Sequence, residues 1–185
     1  RDFCLSRGLG DVYKRQVLIE RDDQIQKLLD ITLQKNCTPS RKYVGRNANV
    51  ILRDAGIEVE GDSRLIIMRT DKHHPFATTE MLMPILPVVT VENFEDGLAT
   101  CLFLEAGLHH TATMHSLNLE RLNKMARAMK TSIFVKNGPS YAGLGYNGEG
   151  TTTFTIATPT GEATTSARHF ARRRRCCLTT GFQIR

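Results

Sequence analysis

Hydrophobic positions change period several times along the chain, and each change marks an element. Between Arg21 and Gln34, Ile25, Leu28 and Leu29 fall at i, i+3 and i+4. Asp22 and Asp23 occupy the first turn, where the helix dipole favours acids, so a helix is predicted. Cys37-Thr38-Pro39-Ser40 breaks it. A second helix is predicted over Tyr43–Asp54, with Val44, Ala48, Ile51, Leu52 and Ala55 on one stripe and Gly56 as its stop. Arg64–Arg69 contains the run Leu-Ile-Ile-Met and reads as a buried strand. Asp71–Pro75 reads as a turn, with His73–Pro75 extended ahead of the proline.

Ile85–Val91 is strand-like, but Pro84 and Pro87 move it to a sheet edge or give it an irregular start. Asn93 is placed to cap a helix running to about Glu105, with Asp96 in a capping-box-like position. Phe94, Leu98, Cys101 and Leu102 form its inward stripe. Thr111–His115 reads as a short strand. Asn118 caps a helix over Leu119–Met129, with Leu122, Ala126 and Met129 facing inward, and Ser132–Val135 is a strand. The resulting β-α-β-α-β order predicts an α/β layer with parallel strands. Beyond Val135 the texture changes. Lys136–Gly150 contains Gly138, Gly143, Gly145, Gly148 and Gly150, a loop of a length and composition usually tied to function. Thr151–Thr158 is β-branched and extended, Ser166–Ala171 a short helical turn, and Cys176–Ile184 a terminal strand or hairpin.

Composition narrows the classes. A chain of 185 residues, 41% hydrophobic and 24% charged, suits one domain or a large piece of a bigger enzyme and excludes wholesale disorder. No apolar run approaches the ~20 residues of a membrane span. Of the net charge of +6, Arg172–Arg175 supply +4. This basic knot lacks interleaved aromatics, so it reads as a solvated strand edge rather than a nucleic-acid surface. Cys4, Cys37, Cys101, Cys176 and Cys177 show neither disulfide nor zinc spacing, which implies a reduced, cytoplasmic setting. Arg1–Gln16 has no period, and its string GLGDVYKRQ resembles a translated sequencing adaptor. It is expected to be a non-native tail that packs against nothing.

Candidate chemistry is sparse at this level. Gly143-x-Gly145-x-x-Gly148 matches the dinucleotide fingerprint literally, but Thr151, Thr152, Thr153 and Phe154 form helices poorly. Without a helix N-terminus the fingerprint has no pyrophosphate donor, so the loop reads as the lining of a cleft. His73, His74, His109, His110 and His115 form no i, i+4 pair with a third ligand, and no metal is assigned. Cys101 lies on an apolar helix stripe, Cys37 has no evident base, and Cys176-Cys177 read as structural.

Four stretches in order carry a resemblance. They are His74-Pro75-Phe76-Ala77-Thr78-Thr79-Glu80-Met81-Leu82-Met83-Pro84-Ile85-Leu86-Pro87-Val88-Val89, then His110–Ser116, then Thr131–Gly143, then Thr164–Cys176 with the arginine run. With them Val17–Arg185 resembles the CoA-acylating aldehyde dehydrogenases of ethanolamine and propanediol utilisation. The resemblance implies the C-terminal third of such an enzyme: residues 17–165 as part of the parallel-strand α/β catalytic domain, and residues 166–185 as an arginine-rich segment with an oligomerisation strand. It implies acetaldehyde or propionaldehyde, NAD and CoA as reactants, and a homo-oligomer, with the cytoplasm or a bacterial microcompartment as its setting and the microcompartment shell as a candidate partner. The family's nucleophilic cysteine falls upstream of Val17, so the fragment alone is expected to be inactive. Glu80 matches the superfamily glutamate that accepts hydrogen bonds from the nicotinamide ribose, with Leu82-Met83 replacing the usual Phe-Gly. Asn137–Gly145 resembles the segment that lines the aldehyde entrance, with Ser140 and Tyr141 as candidate contacts there. A second reading is a stand-alone, non-catalytic binding or assembly module that docks through its basic C-terminal segment.

Overall fold

The computed structural model describes residues 15–153, 155–157, 163–177 and 179. The chain divides into two compact units, Arg1–Thr100 and Cys101–Arg185. The first contains β1 (Gln16–Ile19), α1 (Asp22–Thr32), α2 (Ala48–Asp54), β2 (Leu65–Thr70), α3 (Pro75–Thr78) and β3 (Ile85–Val89). Helix α4 (Phe94–Glu105) spans the boundary. The strands pair in parallel in the order β1-β2-β3, with Val17 opposite Ile66 and Ile66 opposite Ile85. Ile66, Ile67 and Met68 are all buried, as a continuous apolar run demands when both faces of a parallel strand are covered. Leu28 of α1 and Ile51 and Leu52 of α2 join Ile66 and Met68 in the core.

Several local devices differ from the sequence expectation. Gln16, expected in a tail, is the first residue of β1 and lies opposite Leu65. Arg15 pairs through Nη1 with Asp62 at 3.0 Å, and its carbonyl accepts from the Arg64 N–H. Four residues without alternation leave no pattern to read; pairing with distant β2 makes them a strand. The other tail residues, 1–14, lie outside the described set. Helix α2 starts at Ala48, not Tyr43, because residues 41–45 turn and Gly45 takes φ +71. Tyr43 is therefore buried while Val44, expected on the stripe, is 37% exposed. Gly56, at φ +68, stops α2 as expected. The stretch after His74 is a single helical turn. Pro75 sits in its first turn and the His74 side chain accepts from the Phe76 N–H. Strand β3 ends the described sheet order, where Pro87 faces Met68.

The second unit contains β4 (Thr111–Met114), α5 (Leu119–Met129), β5 (Ile133–Lys136) and two 3-10 turns, Ser140–Leu144 and Ala167–His169. Strands β4 and β5 are parallel, from Thr111 opposite Ile133 to Met114 opposite Lys136. The Asn118 side chain accepts from the Arg121 N–H at 3.0 Å and so caps α5. Leu122, Met125 and Met129 are its buried face; Ala126, expected inward, is half-buried. On α4, Leu102 is 42% exposed and Thr100 is buried instead. That helix is apolar nearly all round, so its composition does not choose a face. Cys176 and Cys177 are exposed and outside any strand; the remainder of the predicted terminal strand, apart from Thr179, is not among the described residues. No helix among the described residues is long and apolar enough to cross a membrane.

Candidate functional site

Glu80 lies on the loop between α3 and β3, and local chemistry holds that loop in place. Buried Phe76 anchors α3 below it, and buried Met81 follows it. Downstream, the Leu82 carbonyl accepts from the Gly45 N–H at 3.1 Å and the Pro84 carbonyl from the Ile66 N–H at 2.9 Å. Leu82 itself adopts φ +52. The backbone is thus pinned on both sides while the Glu80 side chain is exposed. Its carboxylate takes no partner among the described residues. Leu82, Met83 and Pro84, together with Arg46, Asp62 and Arg64, line a cavity of about 590 Å³ whose lining does not include Glu80.

The second unit presents the glycine-rich loop. It borders a groove of about 740 Å³ along β5, whose lining includes Asn137, Pro139, Gly148 and Thr151. The turn Ser140–Leu144 packs on β5 and β4. Gly145, at φ +94, and Gly150 both donate through their N–H groups to the Ala142 carbonyl at 3.1 Å. Gly148 lies so close to Ala142 that an added Cβ would sit 2.7 Å from the alanine methyl. These glycines allow a tight fold of the loop on itself. Residues 151–153, directly after them, are not helical, so the fingerprint lacks the helix N-terminus that would bind a pyrophosphate. Ser140 and Tyr141 are exposed, Tyr141 by 69%, and neither is among the residues that line the groove. Glu80 belongs to one unit and Ser140 and Tyr141 to the other.

The remaining candidates divide by environment. The Cys101 thiol is half-buried, and desolvation pushes its pKa up. Cys37, Cys176 and Cys177 are exposed. Glu105 accepts from the Gly107 and His109 N–H groups and closes the end of α4. His110 Nδ1 lies 2.8 Å from the Thr111 hydroxyl, and His169 completes a capping box with Ser166. No group of three His, Cys, Asp or Glu side chains that could hold a metal occurs among the described residues. Sequence reasoning placed Asn137 at the start of the entrance segment but assigned its side chain no role; that side chain bonds both peptide groups of Ser116. Its only signal was an asparagine before glycine at a strand end.

No family model matches the chain. The CoA-propanoylating propanal dehydrogenase of Salmonella typhimurium is 57% identical over 158 residues, covering 83% of this chain and 34% of that protein. The acetylating acetaldehyde dehydrogenase of Escherichia coli is 52% identical over 182 residues, 97% of this chain and 39% of that protein. Among solved structures, Rhodopseudomonas palustris propionaldehyde dehydrogenase with bound propionyl-CoA superposes with a TM-score of 0.85 at 44% identity, covering 91% of this chain and 37% of that one. A propionaldehyde dehydrogenase from the Clostridium phytofermentans fucose utilisation bacterial microcompartment gives 0.85 at 39% identity over 95% of this chain and 40% of that one. The chain therefore spans little more than a third of the length of the relatives it matches.

Proposed function

The chain belongs to the CoA-acylating aldehyde dehydrogenase family, and on that premise we propose that the protein it forms part of converts acetaldehyde or propionaldehyde, NAD and coenzyme A to acyl-CoA and NADH. The observation that carries the proposal is identity above 50% to enzymes named for these reactions, sustained over most of the chain. The relatives that contain this stretch are named as enzymes, which favours catalysis over a stand-alone assembly module.

In this reading a cysteine thiolate from the portion upstream of Val17 attacks the aldehyde carbon. When bound, NAD would supply the acceptor for the hydride and CoA the thiol to which the acyl group passes from the cysteine thioester. The part of this chain is to bind and orient. Glu80 accepts hydrogen bonds from the nicotinamide ribose; its unpartnered carboxylate on a pinned loop supports that role. Ser140 and Tyr141 line the aldehyde entrance, supported by their exposure in the turn that opens the glycine-rich loop. Residues 17–165 are assigned to the catalytic domain and 166–185 to a terminal segment that pairs with another subunit. Residence in a bacterial microcompartment is part of the proposal and draws on the source of one solved relative.

The test is a chimera in which residues 17–185 replace the homologous stretch of the Escherichia coli enzyme. NADH formation that requires both aldehyde and CoA is the expected result, with none from the 185-residue chain alone. A folded chimera that binds NAD but makes no acyl-CoA overturns the proposal.

A further inference from the structure

Asn137 occupies the point where β5 ends and the glycine-rich loop begins, and it makes three hydrogen bonds to the neighbouring strand's exit. Its backbone N–H donates to the Met114 carbonyl at 2.9 Å, adding one rung to the parallel ladder. Its side-chain carbonyl accepts from the Ser116 N–H at 2.7 Å. Its side-chain amide donates to the Ser116 carbonyl at 3.0 Å. The carboxamide thus treats the Ser116 residue as a strand partner would, satisfying one donor and one acceptor together. The backbone at Asn137 is left-handed, at φ +55, a conformation that asparagine tolerates better than most residues. That conformation starts the reversal through Gly138 and Pro139 that lays Ser140–Leu144 on β4 and β5.

We propose that Asn137 is a positioning residue that fixes the substrate-lining turn Ser140–Leu144 against the C-terminal ends of β4 and β5. The inference rests on the reading of Ser140 and Tyr141 as lining the aldehyde entrance. Carboxyl ends of parallel strands are where α/β sheets build ligand sites, and loops there owe their precision to what anchors them. Without the side-chain clamp, the turn keeps its glycine packing and the backbone rung to Met114 but loses the two bonds that tie its origin to Ser116. An error of about 1 Å in a substrate-positioning element costs up to about a hundredfold in rate.

The test uses the active chimera with Asn137→Gly and Asn137→Asp. Glycine keeps the left-handed backbone and deletes only the side-chain bonds. Aspartate keeps the acceptor for the Ser116 N–H but turns a carboxylate oxygen on the Ser116 carbonyl, so it preserves size and removes the donor. Both should raise the aldehyde KM about tenfold while the NAD KM stays within about twofold. Hydrogen exchange should quicken at Ser116 and through residues 138–145. A fall in melting temperature or active fraction with an unchanged aldehyde KM overturns the proposal and makes Asn137 a structural residue only. If the unsubstituted chimera is folded but inactive, the functional reading fails by itself. The anchor is then judged on exchange: faster exchange in Asn137→Gly supports it, and unchanged exchange overturns it.

Discussion

Gly143→Ala measures how closely the glycine-rich loop lies on β5. A Cβ built at Gly143 overlaps the Cγ2 methyl of Ile133, with Ile133 Cβ and Cδ1 both 3.4 Å away. That methyl is on the branch carbon of a buried residue in a paired strand, so it has little freedom to swing aside. Either Ile133 leaves its rotamer or the loop lifts, and overpacking of this kind costs about 1–3 kcal/mol. Gly143 does not lie in the left-handed region, so alanine also gains up to about 1 kcal/mol from a less flexible unfolded chain. The net loss is about 1–2 kcal/mol, or roughly 2–8 °C in melting temperature for a chain of this size. Gly138 is the control: its added Cβ sits 3.3 Å from Val135 Cγ1, a gap closed by a few tenths of an ångström, so Gly138→Ala should be nearly neutral. Gly150→Ala should exceed Gly143→Ala, because its Cβ meets the Gly143 and Ala142 carbonyls, which are backbone and cannot rotate away. The decisive arm is a double-mutant cycle. Ile133→Ala alone costs about 2–5 kcal/mol, but it also removes the clashing methyl and leaves only the 3.4 Å contact with Cβ. The double variant should be less destabilised than the sum by about 1 kcal/mol. Urea unfolding followed by circular dichroism reads all four proteins. Additive costs, or a Gly143→Ala midpoint equal to the parent's, would refute the packing argument.

Three further outcomes are expected. Glu80→Gln in the chimera should keep the melting temperature and lower NAD affinity or hydride transfer by about one to two decades, since each charge-assisted hydrogen bond is worth roughly 1.5–3 kcal/mol. Steady-state kinetics with varied NAD checks it, and a collapsed melt with unchanged constants would make Glu80 structural. Desolvation holds the Cys101 thiol above its ordinary pKa of 9.0, so it should react with a thiol reagent at neutral pH more slowly than exposed Cys37. Hydrogen bonds from Lys42 and then Arg53 hold the Asp54 carboxyl below its ordinary 3.8, while hydrogen bonds with Tyr43 and then Asp54 hold Lys42 above 10.5. The depressed Asp54 contributes stability that is lost as pH falls below 3.8, and the raised Lys42 contributes stability that is lost as pH climbs above 10.5. The difference in urea midpoint between the parent and Asp54→Asn should therefore be flat between those limits and shrink beyond both.

Elements whose signal is local were legible. Asn118 and the face formed by Leu122 and Met129 place α5 within a residue, because a cap and an amphipathic period act over neighbouring positions. The run at Leu65–Met68 gives β2 for the same reason. Strand β1 was not legible, since Gln16–Ile19 is a strand only by pairing with residues nearly fifty positions away. Val44 and Tyr43 exchanged places because a glycine in a left-handed turn starts the helix later than the apolar spacing suggests. The candidate site was legible as a set of residues and not as a geometry. Glu80 came from a motif, whereas its pinned loop depends on Gly45 and Ile66, which are distant in sequence. Asn137 is a single polar residue whose role becomes visible only beside Ser116, twenty-one positions earlier.

The cysteines indicate what kind of contribution this stretch makes. A nucleophilic thiol needs a base or a cation within hydrogen-bond reach, roughly 2.6–3.2 Å. Cys101 is half-buried on α4, where desolvation favours its neutral form. Cys37 is exposed in a left-handed turn whose N–H is committed to the Gln34 carbonyl. Cys176 and Cys177 are exposed beside the arginine run, and Cys4 lies outside the described residues. No hydrogen bond joins a described thiol to a histidine or carboxylate. The features that are built with care are acceptors and anchors: an unpartnered carboxylate on a loop held at Leu82 and Pro84, and a turn hung from Asn137. In the proposed function such groups orient reactants and do not break bonds. A chain that supplies orientation without the thiolate should bind better than it turns over. The isolated 185-residue chain should therefore give no aldehyde- and CoA-dependent NADH, and the activity should appear only when the cysteine-bearing portion is joined to it. Reproducible turnover by the isolated chain, abolished by one cysteine-to-serine change, would place the nucleophile within it and reverse this division of labour.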